Sequence, residues 1–149
     1  MNECVQRTVL RWIVSDRSSP AVSASTRPLP LSVVVHIIEA EGIGPVRDIG
    51  LLQSSLDRPL TTIMGTDAYP GVPRKAAALL HSVCNNHPLV DGNKRLAAIA
   101  SLVFAETNNH RCDLTNDELF DLIMEVASGA LSDVEQISER LGLINVAST

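Results

Sequence analysis

From Leu29 onward, apolar blocks alternate with short polar breaks, and the breaks carry helix punctuation. "PLSVVVHIIEAEG" (30–42) opens at Pro and Ser and closes at Gly, although its Val run would also suit a strand. "RDIGLLQSSLDRP" places Asp48 at a cap position and Pro59 at the stop. "LTTIMGTDAYPGV" (60–72) has no helical period and reads as a surface loop or flap, where Met64 and Tyr69 either line the target side or, the preferred reading, are buried at the core edge. "PRKAAALLHSVCNN" starts with Pro73 in a first turn and continues through strong helix formers.

Leu96 to Ala105 is apolar on every side except Ser101, the pattern of a central buried helix, and it stops at Asn108 and Asn109. Two capping boxes follow, "TNDE" from Thr115 and "SDVE" from Ser132, and their helices end at Gly129 and Gly142. Strand signals are scarce, so the expected fold class is all-α. Before this block, residues 1–14 could form a short helix carrying Trp12, and "SDRSSPAVSASTRPLP" (15–30) has the Ser and Pro content of a linker. The expected organisation is an extension over 1–28, one domain over 29–144 and a tail over 145–149.

Composition narrows the function classes. A chain of 149 residues with 45% hydrophobic content can bury a real core. A net charge of −5 and only four aromatic residues argue against direct nucleic-acid binding, which needs clustered cations and stacking platforms. Cys4, Cys84 and Cys112 are odd in number and widely spaced, so reduced thiols are expected rather than disulfides or a zinc site. No apolar run has the length of a membrane span, and the start does not read as a secretory signal, so a cytoplasmic location is expected.

The candidate chemistry lies in "HPLVDGNKR", His87 to Arg95, directly before the most apolar helix. Gly92 suits a tight turn with positive φ, and Asn93 suits an N-cap. A helix N-terminus attracts anions, yet Lys94 and Arg95 put two cations beside it. That conflict points to a bound phosphate rather than to a stability device. Asp91 could hold Mg²⁺ against phosphate oxygens, and a neutral His87 could take a proton from an attacking hydroxyl. His81, His36 and His110 read as packing or helix-flank residues.

The same nine residues resemble the signature H-x-F-x-[D/E]-[G/A]-N-[G/K]-R of the Fic/Doc superfamily, and Lys94 is similar to its Doc branch of toxins from toxin–antitoxin pairs. Segments 45–59, 69–83 and 126–141 also look like Doc segments, so the resemblance runs from Pro30 to Leu143. It implies an all-α bundle whose motif loop cradles nucleotide phosphates. His87 would be the general base, Asp91 and Asn93 would complete the catalytic set with Asp91 as the Mg²⁺ ligand, and Gly92, Asn93, Lys94 and Arg95 would form the phosphate pocket. It further implies ATP as substrate, a Phd-like antitoxin as partner and a threonine of elongation factor Tu as target, so that phosphorylation halts translation.

Fic members with Gly at the Lys94 position transfer AMP instead. Gly there would let the backbone wrap two phosphates, whereas Lys resists positive φ and adds a cation suited to one terminal phosphate. Leu89 replaces the motif aromatic but remains an apolar anchor, and Ala98 stands where AMP-transferring members often carry a further Arg. The competing expectations are therefore a Fic-type protein AMP-transferase and, from another class, an inactive partner-binding module. Intact His87, Asp91, Asn93 and Arg95 count against the latter.

Overall fold

In a computed structural model, residues 26–147 are described, and the expected N-terminal helix, Trp12 and Cys4 lie outside them. Six helices run in order: α1 Leu31–Glu41, α2 Ile49–Asp57, α3 Val72–Asn86, α4 Asn93–Thr107, α5 Asn116–Ser128 and α6 Val134–Leu141. Two small antiparallel ribbons complete the described part, β1 Thr62–Ile63 with β2 Thr66–Asp67, and β3 His110–Arg111 with β4 Ile144–Asn145. The fold is helical, as the punctuation predicts. His110 belongs to a strand rather than a helix flank, and Asn145, expected in the tail, pairs with it.

The centre is the α3–α4 pair. Ala76, Ala77 and Ala78 on α3 and Ala97 and Ala100 on α4 are fully buried, and such small side chains let the two helices approach closely. Around them Leu79, Leu80, Val83, Leu96, Val103 and Phe104 are sealed from water. Each large side chain of this kind contributes roughly 1.5–3 kcal/mol of burial. α2 and α6 pack on α3, while α1 and α5 pack on α4. Ser101 is buried without penalty because its hydroxyl donates to the carbonyls of Ala97 and Ala98, at 2.7 and 3.0 Å.

The Val-rich segment is helical because Val33, Val34, Ile37 and Ile38 form one buried face, and that burial outweighs the β preference of Val. Asp48 caps α2 through its side chain on the Leu51 amide, and α2 stops at Asp57 before a 3₁₀ turn containing Pro59. The Thr115 capping box is present in full. The second box is not: Asp133, one residue later than Ser132, is the N-cap and accepts from the Glu135 amide. A carboxylate competes well for that position, and its choice shifts the helix start by one residue.

Segment 60–72 is the β1–β2 ribbon. Its turn residues Met64 and Gly65 both have positive φ, and Met64 is fully exposed, not at the core edge. Lys75, only 3% exposed, ties the ribbon down by donating to the Asp67 carboxylate and the Pro59 carbonyl. The chain entering the domain is anchored too. Leu29 is in the core, and the Arg27 backbone exchanges two hydrogen bonds with the Asn108 side chain.

Candidate functional site

The motif loop joins the C-terminus of α3 to the N-terminus of α4. His87 closes α3 in the left-handed conformation, with φ 48° and ψ 57°. Among non-glycine residues His tolerates this region better than most, yet the conformation still costs of order 1–3 kcal/mol unless its surroundings impose it. Pro88 and Leu89 turn inward and are buried, so Leu89 serves as the apolar anchor expected of it. His87, Asp91, Lys94 and Arg95 remain exposed, which makes the site an open face rather than the floor of a deep cleft.

A second loop holds this one in place. Gly44 donates to the Asp91 carbonyl at 3.0 Å, Val90 donates to Pro45 at 2.9 Å, and Arg47 and Asp48 both donate to Pro88. Val46 and Leu89 form an antiparallel bridge between the two loops. Gly92 has φ 91°, and a Cβ there would lie 2.6 Å from the Ile43 Cβ. Glycine at this position is therefore demanded twice, by the backbone angle and by the close approach.

Asn93 is the first helical residue, not the N-cap, which is Gly92. Its amide oxygen accepts from the Leu89 N–H at 2.8 Å while its amide nitrogen donates to the Leu89 carbonyl at 2.9 Å. The side chain thus locks the loop. As in any helix, the first-turn amides lack intrahelical acceptors, a local arrangement that suits an anion.

The two cations diverge. Arg95 pairs at 2.7 Å with Glu41, whose side chain is 5% exposed, at the C-terminal end of α1. A carboxylate at a helix C-terminus and a guanidinium at a helix N-terminus each oppose their own dipole, and here they neutralise each other. The charge conflict inferred from sequence is thus partly answered inside the protein. Lys94 has no ion pair among the described residues. It sits in a helical turn without positive φ, so the backbone half of the glycine-versus-lysine reasoning falls away and the side-chain cation remains. Its charge reaches Cys84 in the last turn of α3, where it opposes the burial that pushes the thiol up to about 11. Cys84 stays a protonated thiol, in keeping with the expectation of free cysteines.

Asp91 accepts from the Gly92 amide through Oδ1 at 2.9 Å. No cluster of three acidic, histidine or cysteine ligands exists among the described residues. A single exposed carboxylate still suits Mg²⁺, which keeps several waters and takes its remaining protein-independent ligands from substrate phosphates. The imidazole of His87 has no hydrogen-bonding partner among the described residues, unlike that of His81, whose Nδ1 accepts from Arg58 at 2.7 Å. Behind His87, Asn86 lines an open polar cleft of about 690 Å³ shared with Arg58, Asp57, Ser82 and Thr61.

A family model described as the Fic/DOC family matches residues 31–105, half of the chain. The chain is 48% identical over 85 residues to the Toxin Doc of Mycolicibacterium smegmatis (strain ATCC 700084 / mc(2)155), covering 56% of this chain and 65% of that protein. The matched stretch therefore spans slightly less than two thirds of that relative's length.

Proposed function

The chain belongs to the Fic/DOC family, and from that premise we propose that it is a Doc-type toxin that transfers the γ-phosphate of ATP to a hydroxyl of a translation factor, a threonine of elongation factor Tu being the expected acceptor. The observation that carries the kinase form is Lys94, a cation without an ion pair among the described residues, in the first turn of α4 beside amides that lack intrahelical acceptors. A terminal phosphate held there would be met by side-chain charge and backbone donors together.

His87 is the general base in this reading. An exposed imidazole with no partner among the described residues is available to accept the proton of an incoming hydroxyl. Asp91 would hold Mg²⁺, which when bound neutralises phosphate charge. Asn93 keeps the loop closed, and Gly92 lets it approach Ile43. Positioning and charge neutralisation then supply most of the catalysis, as in phosphoryl transfer generally. Similarity to a Toxin Doc supports a cognate antitoxin as partner, and a Phd-like segment that folds on binding as an amphipathic helix would suit the role.

Conditional expression tests the reading. The wild-type chain should arrest growth and protein synthesis, and His87→Ala should relieve the arrest, because loss of a general base lowers rates about 10²–10⁴-fold. Equal arrest by a folded, equally expressed His87→Ala variant would remove His87 from the mechanism.

A further inference from the structure

Among the described residues His87 has no side-chain orienter, so its backbone sets the direction of its imidazole, and that backbone is in a conformation the residue does not favour. The following Pro88 adds to the difficulty, since a residue before proline is pushed towards extended angles. Something must hold the junction. Arg47, from the loop between α1 and α2, donates from Nε to the His87 carbonyl at 2.9 Å and from Nη2 to the same oxygen at 2.7 Å. Nη2 also reaches the Asn86 carbonyl at 3.2 Å. The Arg47 backbone amide donates to the next carbonyl, that of Pro88, at 2.7 Å. Three consecutive carbonyls, 86 to 88, therefore answer to one residue.

We propose that Arg47 is the positioning residue for His87, clamping the end of α3 so that the imidazole stands ready for the acceptor hydroxyl. The assignment rests on the general-base reading of His87. A guanidinium suits the task because its planar fork engages a carbonyl through two N–H groups at once, and its charge complements a helix C-terminus. An ammonium could neutralise the same end but could not fix the carbonyl direction. Arg47 is exposed and buries nothing in the core, so its side chain is available for this work without being needed for folding.

The test uses the whole protein labelled with ¹³C and ¹⁵N at histidine, the His87 signals being assigned by their loss in His87→Ala. Arg47→Gln and Arg47→Lys are compared with wild type. The expected result is that His87 backbone and ring signals move in Arg47→Gln while those of His36, His81 and His110 stay in place, which also reports an intact fold. Transfer of γ-label from ATP to protein in a cell extract should fall 10–100-fold at saturating ATP, with the half-saturating ATP concentration changed less than twofold. Arg47→Lys should lie between the two, because it retains charge without the fork. His87 signals that do not move, or a transfer rate within twofold of wild type in Arg47→Gln, would overturn the proposal. If wild type transfers no γ-label but the His87 signals still move as expected, the kinase reading fails while Arg47 stands as the residue that orients His87.

Discussion

Position 92 concentrates the demands that the site makes on single residues. Its left-handed backbone would cost a side chain about 1–2 kcal/mol, and the Ile43 contact would force a shift worth about 1–3 kcal/mol more. Gly92→Ala should therefore lose about 2–5 kcal/mol of stability in a denaturant titration. Gly129 has a similar φ of 83° but nothing within 4 Å of its would-be Cβ, so Gly129→Ala should lose only the backbone part. Equal losses at the two positions would mean that the Ile43 contact does not constrain the loop. Glycine at 92 was readable from the sequence as a positive-φ residue, whereas its neighbour Ile43 was not, since it lies 49 positions away in the chain and only tertiary packing brings it near. Glu41 carried a signal that went unused: an acid closing a helix is as anomalous as a base opening one.

At the level of elements, α3 carries both the site and a titratable contact that steadies it. His81 accepts from Arg58, which also donates to the Tyr69 hydroxyl at 3.1 Å and lies 5.5 Å from that ring. Burial first, and the Arg58 charge second, hold the His81 imidazole below its usual value. A depressed folded value means that the unfolded chain takes up the proton first. This contribution to stability is complete above the ordinary histidine value of about 6.5 and is lost as pH falls below it. Denaturation midpoints taken at pH 7.5 and 5.5 should fall more for wild type than for His81→Gln. An equal fall would show that burial and the Arg58 charge do not hold the His81 imidazole below its usual value. Helix existence was largely legible, because apolar period and capping residues agree along most of the domain. Boundaries slipped where two good caps adjoin, as at Ser132 and Asp133, or where an Asn that could cap instead locks a loop, as at Asn93. Arg47 stood in a quoted segment without a role, since nothing local indicates which distant carbonyls an arginine will reach.

At the scale of the described molecule, the α3–α4 pair is a buried, small-residue core that presents an open, polar face at the motif loop. No described helix is long and apolar enough to cross a membrane. The described exposed cations at that face are Lys94, Arg95 and Arg47, of which Arg95 is tied to Glu41 and Arg47 to backbone carbonyls. Lys94 is thus the one of these three without a partner among the described residues, and the proposed kinase activity rests on its meeting the terminal phosphate of a nucleotide. The most direct measurement incubates the protein with Mg²⁺, cell extract and ATP labelled at either the α or the γ position. The account predicts γ-label on a protein of elongation factor Tu size, no transfer of α-label, and a strong loss of signal in Lys94→Ala. Transfer of α-label instead would identify an AMP-transferase and contradict the kinase account.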